Sequence, residues 1–254
     1  MRALLTNDDG ILAPGLEVLE HVARTLCDEV WIVAPETDQS GIGHALTLSH
    51  PLRLREVGER RFAVDGTPAD CVVVAVSEAM PEPPDIVLSG INAGQNVADD
   101  VLYSGTIGGA MEATFMGVRA IAVSQAYAPG NRDDLPWETS ERHLPELLGA
   151  LLDLDLPDGT FLNVNMPAVA PDAYRGAETA TQGRVDHTLG TERRLDGRGK
   201  PYHWLRFSRG EPAMRPGSDI ATLRDGRAAV TPLAIDLTAR DSMDAVSERL
   251  KGLM

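Results

Sequence analysis

Short runs of consecutive apolar residues alternate with segments of helical periodicity along the first 125 residues of the chain. The runs that predict buried strands are residues 3–5, 30–34, 85–89 and 120–124. The segments that predict helices are residues 16–26, 68–80 and 104–116. Short apolar strands separated by helices are typical of a parallel sheet that is covered on both faces. The pattern therefore predicts an α/β fold with a Rossmann-like, doubly wound, mostly parallel sheet.

The pattern weakens beyond this point, although residues 140–154 predict an amphipathic helix and residues 161–165 a further strand. Residues 176–227 are polar and rich in Gly and Arg, yet residues 202–207 alternate like a strand. We interpret this stretch as an ordered hairpin extension that a neighbouring subunit stabilises. The chain is predicted to be one domain, with a core at about residues 1–175, an oligomerisation excursion at about 176–227 and a return to the core at about 228–254.

Composition and charge narrow the class of partner. The 254 residues are 43% apolar and 24% charged, and 23 basic against 38 acidic side chains give a net charge of −15. Such a chain is expected to be globular and to be repelled by nucleic acid polymers. An anionic small molecule remains a candidate ligand if a metal ion or backbone N–H groups assist. The chain contains no apolar stretch of membrane-spanning length, and its start lacks a signal-peptide pattern, so we expect a cytoplasmic protein without membrane contact.

Polar side chains follow several of the predicted strands, where ligands bind in open α/β sheets. Asp8 and Asp9 follow the first strand, and two adjacent carboxylates repel each other unless a cation lies between them. A turn with a helix cap would also favour Asp here. However, hydroxyl and amide oxygens follow two other strands, and such oxygen donors suit Mg²⁺ or Mn²⁺. The predicted ligands of one divalent cation are Asp8, Asp9, Ser40 and Asn92.

A second candidate feature is the segment Ser104, Gly105 and Thr106 at the start of a predicted helix. Ser104 is expected to cap this helix, and the glycines that follow allow close packing. A helix N-terminus with free N–H groups and flanking hydroxyls is also an anion site suited to phosphate. The Gly-rich run at residues 89–96 lets the backbone approach a ligand closely. Together these features predict one pocket for a metal and a phosphate.

These motifs, taken in order, resemble the SurE family of stationary-phase survival proteins, which are metal-dependent 5′-nucleotidases and acid phosphatases. The resemblance is collinear over about residues 1–125 and continues more thinly at residues 162–167 and 230–233. The matching segments are Asn7-Asp8-Asp9-Gly10, Ser40-Gly41, Gly66-Thr67-Pro68-Ala69-Asp70-Cys71, Ser89-Gly90-Ile91-Asn92-Ala93-Gly94 and Tyr103-Ser104-Gly105-Thr106.

The resemblance implies a function and a site. One Mg²⁺ or Mn²⁺ per subunit would be held by the four ligands named above. The residues expected around the phosphate are Asn96, Ser104, Gly105 and Thr106. Members of the family hydrolyse nucleoside monophosphates, and some cleave short polyphosphates. They form homodimers or homotetramers that exchange C-terminal segments, which would explain the weakly patterned stretch of this chain.

The resulting hypothesis is that a water activated by the cation attacks phosphorus. Asp9 is the expected assisting base, and Asn96 and Ser104 are expected to stabilise charge on the phosphoryl group. Two alternatives stay open: a nucleotide-binding module without catalysis, and a phosphatase of a different substrate class. A pure binder needs no anchored water, so the proposed metal ligands argue against the first. The sequence does not decide the base or the choice between 5′- and 3′-monophosphates.

Overall fold

The structure of the chain is a computed structural model that describes residues 1–128, 130–131 and 134–253. Nine of the strands in these residues form one sheet, and the other two form a separate hairpin. The strands are β1 (Arg2–Thr6), β2 (Glu29–Pro35), β3 (Leu54–Gly58), β4 (Arg61–Val64), β5 (Ile86–Ala93), β6 (Arg119–Gln125), β7 (Thr160–Met166), β8 (Ala177–Thr179), β9 (Val185–Leu195), β10 (Pro201–Pro212) and β11 (Ala228–Ala234).

The large sheet has the strand order β3-β4-β2-β1-β5-β6-β7-β11-β8. All neighbours from β4 to β7 run parallel, whereas β3 and β11 pair antiparallel with β4 and β7. The predicted mostly parallel sheet is therefore confirmed. From β1 the chain first adds β2 on one side and later places β5 on the other. The carboxyl ends of β1 and β5, called the β1–β5 edge below, thus form a topological switch point, where such sheets bind their ligands.

Helices cover both faces of the sheet. The α-helices of the chain are α1 (Pro14–Leu26), α2 (Pro68–Val74), α3 (Gly105–Phe115), α4 (Trp137–Leu151), α5 (Asp219–Arg224) and α6 (Met243–Leu250), and the first four form the two covering layers. Leu16 and Leu19 of α1 pack with Leu144 and Leu148 of α4 in the core of one face. On the other face α2 and α3 form a second core with the opposite side of the strands. These two cores are what a doubly wound fold requires.

The predicted hairpin extension is confirmed as an ordered element. Strands β9 and β10 pair antiparallel with each other and form their own two-stranded sheet. The extension is narrower than the 176–227 excursion, because β8 pairs with β11 and α5 contacts β11 and β7. Both of these flanking pieces therefore belong to the main body of the fold. On the hairpin itself Leu189, Trp204 and Leu205 are exposed.

The return to the core is confined to β11, whose residues 228–231 are buried. The prediction placed the return at about residues 228–254, a stretch that also contains α6. Helix α6 presents Met243, Val246 and Leu250 at helical spacing, yet all three side chains are exposed. The described residues contain no core against which this apolar stripe packs. Within the same residues, no helix has both the length and the apolar character needed to cross a membrane.

Candidate metal and phosphate site

The turn after β1 is braced by Asn7, which is fully buried. Its Nδ2 donates to the carbonyl oxygen of Gly10 at 2.9 Å, and the Gly10 N–H donates back to Asn7 Oδ1 at 3.2 Å. Gly10 has a φ of 102°, a left-handed conformation that favours glycine. The brace fixes the two carboxylates between these residues at the edge of the sheet. We did not predict this role for Asn7, although Asn followed by Gly signals such a turn.

Asp8 lies directly against the first turn of α3 and is only 4% exposed. Its Oδ1 accepts a hydrogen bond from the hydroxyl of Thr106 at 2.5 Å. A Cβ added to Gly105 would lie 2.8 Å from the Asp8 Cβ and 3.0 Å from its Oδ2. Glycine at position 105 is therefore what lets the helix end approach the carboxylate. The structure thus joins a predicted metal ligand to the predicted phosphate segment.

The pKa values of the two carboxyl groups are raised, so a positive charge beside them would stabilise both anions. Burial raises the pKa of Asp8 to about 6 from its ordinary value of 3.8; the Thr106 hydrogen bond opposes the rise and the charge of Asp9 adds to it. Burial also raises the pKa of Asp9, against the effect of a hydrogen bond from the Ala93 N–H. Both anions are thus less stable here than in water, and a cation would reverse this.

Asp9 is connected to the end of β5, which carries Asn92. The backbone N–H of Ala93 donates to Asp9 Oδ2 at 2.9 Å. The Asn92 Nδ2 donates to the carbonyl oxygen of Gly94 at 2.7 Å, which leaves the amide oxygen as the atom suited to a cation. Pairing between β5 and β6 is irregular at this point, where the register shifts between Ser89 and Asn92. The hydrogen bond from Ala93 therefore joins Asp9 to the end of β5, next to Asn92.

Ser40 lies in the loop after β2, which contacts the turn after β1. The Gln39 N–H donates to the backbone oxygen of Asp8 at 2.7 Å, which docks the loop on the β1 turn. Ser40 is exposed, and its hydroxyl and N–H both donate to Asp38 Oδ1, at 2.6 and 2.7 Å. Because the hydroxyl proton points to Asp38, the oxygen lone pairs can face a cation. Sequence reasoning missed this orienting role of Asp38.

The donor set fits a hard divalent cation. It combines two carboxylates with a hydroxyl and an amide oxygen, which are ligand types of Mg²⁺ and Mn²⁺. The described residues contain no group of three or more His, Cys, Asp and Glu side chains that could hold a metal. The proposed ligand set contains no His or Cys, which are the usual ligands of zinc. The raised pKa values of Asp8 and Asp9 provide the electrostatic reason for a cation here.

The helix start predicted at Ser104 is confirmed. Ser104 is the N-cap of α3, and its Oγ accepts a hydrogen bond from the Ile107 N–H at 3.1 Å. The capping and anion-binding interpretations are compatible, because the cap uses only one of the first N–H groups of the helix. Gly105 and Thr106 follow in the first turn, beside the Asp8 carboxylate. A phosphoryl group at this helix end would therefore lie next to the proposed cation.

Asn96 is held by contacts with β6 and β7. Its N–H donates to Asn165 Oδ1 at 2.8 Å, and its carbonyl oxygen accepts from Asn163 Nδ2 at 2.8 Å and from Asn165 Nδ2 at 3.1 Å. Its side-chain Nδ2 donates to the Ser124 hydroxyl at 2.9 Å. These contacts hold the side-chain amide of Asn96 on the Ser124 hydroxyl. Asn163 and Asn165 were not predicted as site residues, although two asparagines within one predicted buried strand are a signal that could have found them.

Comparisons with known proteins agree with one another. The sequence profile of the family described as "Survival protein SurE" matches residues 3–188. A second profile, "Yeast mating factor alpha hormone", matches only residues 203–213, which is too short to show a family.

The similar proteins match this chain over nearly its whole length. "5′-nucleotidase SurE" of Allorhizobium ampelinum is 56% identical over 250 residues, which are 98% of each chain. The protein of the same name from Brucella canis is 56% identical over 240 residues, or 94% of each chain. The crystal structure of the SurE protein from Aquifex aeolicus is similar with a TM-score of 0.83 and 34% identity, covering 98% of this chain and 99% of the other.

Proposed function

The chain belongs to the SurE family, and we propose that it is a 5′-nucleotidase that uses a divalent cation to hydrolyse nucleoside 5′-monophosphates to nucleoside and inorganic phosphate. Nucleoside 3′-monophosphates and short polyphosphates are further candidate substrates. The observation that carries the proposal is the buried Asp8 carboxylate, which lies beside Asp9 and against the first turn of α3. The names of the similar proteins support the reaction class.

In this proposal one Mg²⁺ or Mn²⁺ per subunit is held by side-chain oxygens at the β1–β5 edge. The holding residues are Asp8, Asp9, Ser40 and Asn92. When bound, such a cation polarises a phosphoryl oxygen and lowers the pKa of water. The hydrogen bonds from Thr106 and from the Ala93 N–H hold one oxygen of each carboxylate. Each carboxylate therefore keeps its second oxygen for the cation or for a proton.

The helix end binds the phosphate of the substrate. The Gly105 N–H and the Ser104 hydroxyl donate to the phosphoryl oxygens, where negative charge grows in the transition state. Thr106, whose hydroxyl and N–H both bond to Asp8, holds the helix end beside the carboxylate. Water attacks phosphorus and gives a proton to the Asp9 carboxylate, while the bond between phosphorus and the nucleoside oxygen breaks. The departing oxygen takes up a proton from solvent, and Asp9 later returns its proton to solvent. Asn96 remains a phosphate contact in this proposal, because the soft terminal torsion of its amide lets Nδ2 exchange Ser124 for a phosphoryl oxygen.

The alternatives differ in what they require of the site. A nucleotide-binding module without catalysis needs no adjacent pair of carboxylates beside the phosphate, and the names of the similar proteins also weigh against it. A phosphatase for polyphosphate or sugar phosphates would use the same metal and phosphate residues. The distinction between substrates therefore depends on groups outside the metal site.

We also propose that the hairpin and the C-terminal helix contact further copies of the chain, in a homodimer or homotetramer. The exposed Leu189, Trp204 and Leu205 of the hairpin and the exposed Met243 and Val246 of α6 support this proposal. Large apolar side chains grouped on a protein surface are typical of an interface. Sedimentation velocity of the full chain would test it by giving the mass of the particle in solution.

The experiment that tests the reaction is phosphate release from purified protein with Mn²⁺, with Mg²⁺ or with EDTA. The substrates are the nucleoside 5′-monophosphates, their 3′-isomers and tripolyphosphate. We expect release from 5′-monophosphates that depends on the cation and that EDTA abolishes. Folded protein that releases no phosphate from any substrate with either cation would contradict the proposal and favour a nucleotide-binding module.

A further inference from the structure

A cavity of about 690 Å³ lies at the carboxyl ends of β6 and β7, beside α5. Its walls include apolar side chains, the ring of Tyr127 and the polar side chains of Gln95 and Arg224. Small-molecule sites of this volume commonly combine mainly apolar and aromatic walls with a few polar groups. The chemistry of this cavity is therefore that of a site for an organic molecule.

The cavity and the proposed metal site share one edge of the sheet. The metal ligands follow β1, β2 and β5, and the strands next in order are β6 and β7. Neighbouring strands lie about 4.8 Å apart, so the ends of β6 and β7 are roughly 5–10 Å from that of β5. A molecule whose phosphate lies at the start of α3 can therefore extend along this edge into the cavity.

A direct contact connects the two places. A Cβ added to Gly94 would lie 3.1 Å from Cε1 of Tyr127, so the ring packs directly on this glycine. The carbonyl oxygen of the same glycine accepts the hydrogen bond that orients Asn92. Gln95 and Val97 line the cavity on either side of Asn96, the residue expected at the phosphate. One short segment thus carries a metal ligand, a phosphate contact and a wall of the cavity.

The walls favour a nucleoside over a second phosphate group. Val97, Val169 and Leu223 are apolar, and the Asp100 carboxyl adds an acidic wall. An anionic polyphosphate chain would lose its hydration among such groups, and among the described wall residues only Arg224 carries a positive charge to offset that loss. A flat base, in contrast, gains by stacking on an aromatic ring and by leaving water. The chain's net charge of −15 further disfavours an additional anion.

Gln95 is the residue best suited to contact the polar edge of a nucleoside. Its Oε1 is buried and has no hydrogen-bond partner among the described residues. Buried acceptors without partners are rare in proteins, and the terminal torsion of glutamine is soft. A small turn of the amide can present this oxygen, or the amide nitrogen, to a ligand in the cavity that Gln95 lines.

We propose that this cavity binds the base and ribose of a nucleotide whose phosphate lies at α3, with the base on the Tyr127 ring and its polar edge at Gln95. This inference rests on the proposed function and deepens it, since it makes the protein selective for nucleotides over polyphosphate and over phosphate esters without a base. The cavity is the specificity site, while the metal and phosphate residues supply the reaction.

The first test fills the cavity with Leu223→Trp. The quantity measured is the ratio of kcat/KM for AMP to kcat/KM for ribose 5-phosphate, which keeps the phosphate and lacks the base. We expect the ratio to fall by about tenfold or more, since single changes in a substrate pocket discriminate by this much. The matched control is Leu154→Trp, an exposed leucine at the opposite edge of the sheet, for which the ratio should stay at the wild-type value.

Equal loss for both substrates in Leu223→Trp, or an unchanged ratio in that variant, would overturn the assignment of the cavity. Because the tryptophan could disturb folding, Gln95→Leu provides a second test. This substitution removes the amide and keeps an apolar chain of similar size, and we expect it to lower the same ratio. An unchanged ratio in Gln95→Leu would exclude its contact with the nucleoside.

The second measurement separates this inference from the proposed reaction. Adenosine binding to the cation-free protein is followed by calorimetry in the wild type, in Asp9→Asn and in Leu223→Trp. We expect binding in the first two and at least tenfold weaker binding in the third. No adenosine binding by a wild type that hydrolyses AMP would overturn the nucleoside cavity alone. Adenosine binding by a wild type that releases no phosphate would keep the cavity and overturn the reaction.

Discussion

Polar side chains are buried at the β1–β5 edge, whereas apolar side chains are exposed on the β9–β10 hairpin. Asp8 is 4% exposed, and Asn7 and Thr106 are fully buried around it. On the hairpin Leu205 is 81% exposed, although it pairs in a regular strand. Buried polar groups and exposed large apolar groups are the two informative exceptions to normal burial. The β1–β5 edge shows the first exception and the hairpin shows the second.

The difference shows what each region lacks when the chain is alone. At the sheet edge the backbone and hydroxyl donors are in place, and the charge on Asp8 and Asp9 is uncompensated. On the hairpin the two strands pair only with each other, and the apolar side chains are uncovered. The first region fits a cation and a phosphate, and the second fits another polypeptide. Four experiments test this difference between the two regions, beginning with the one for which we expect the largest effect.

The largest effect is expected for Asp9→Asn, which removes a negative charge and the proposed proton acceptor. We expect kcat for AMP to fall by more than roughly a hundredfold, because Asp9 is a proposed direct ligand of the cation. Losing even an outer partner of a metal ligand costs up to about a hundredfold. The fold should persist, because the amide oxygen can still accept the Ala93 N–H. Phosphate release with saturating Mn²⁺, together with circular dichroism, checks both parts. Near-normal turnover would contradict the role of Asp9.

The next effect is a pH dependence of stability in the cation-free protein. The folded pKa of Asp8 is about 6 and its ordinary value is 3.8, so between these values the folded state holds a proton that the unfolded state releases. The free energy of unfolding therefore falls as the pH rises from about 4 to about 6, by up to roughly 3 kcal/mol from this group. Above pH 6 its contribution is flat.

Urea unfolding in EDTA measures this effect as the difference between the wild type and Asp8→Asn. The variant carries a neutral amide at position 8 and lacks this dependence, while every other titrating group remains. A difference that stays constant between about pH 4 and about pH 6 would show that the Asp8 carboxyl is not destabilised by burial.

A smaller effect is expected for Gly105→Ala, which tests how closely α3 approaches the carboxylate. The added Cβ would lie 2.8 Å from the Asp8 Cβ and 3.0 Å from Ile42 Cγ2. We expect a loss of about 1–3 kcal/mol in the free energy of unfolding, as for other overpacked sites. The matched control is Gly149→Ala within α4, where the nearest atom is 3.6 Å away and alanine should stabilise the helix. Equal stability of the two variants would contradict the close approach.

The smallest effect on activity is expected on the hairpin. The double substitution Trp204→Ser and Leu205→Ser removes two exposed apolar side chains without touching the β1–β5 edge. We expect subunit association to weaken by about thirtyfold or more, the effect of losing interface hot spots. Phosphate release per subunit should change little. Sedimentation velocity measures association, and Leu154→Ser is a control for an exposed leucine elsewhere. Unchanged association would remove the hairpin from the interface.

Local patterns predicted much of the fold and part of the site. The strand before Asp8 and Asp9, the helix start at Ser104 and the hairpin all depend on signals within a few residues, such as apolar runs, caps and alternation. The carboxylates and the helix end meet because the strand order brings β1 and β5 together. General rules for α/β sheets predicted that ligands bind at the strand ends, whereas the order of the strands was not predicted from the sequence.

Two features depended on information that the local sequence does not contain. The bonds that hold Asn96 join residues 67 and 69 positions apart, so the sequence did not show that Asn163 and Asn165 bond to Asn96. The apolar stripe of α6, with Met243 and Val246, predicts burial, yet this chain offers no described surface that covers it. Amphipathic spacing reveals that a helix has a partner, without revealing which chain supplies it.

The central claim is that the β1–β5 edge holds a cation, and Mn²⁺ binding by calorimetry tests it most directly. The comparison is between the wild type and Asp8→Asn, after EDTA treatment and dialysis at a pH above the folded pKa of Asp8, which is about 6. We expect one strong site per subunit in the wild type and at least a hundredfold weaker binding in the folded variant. Equal Mn²⁺ affinity in the two proteins would contradict the account.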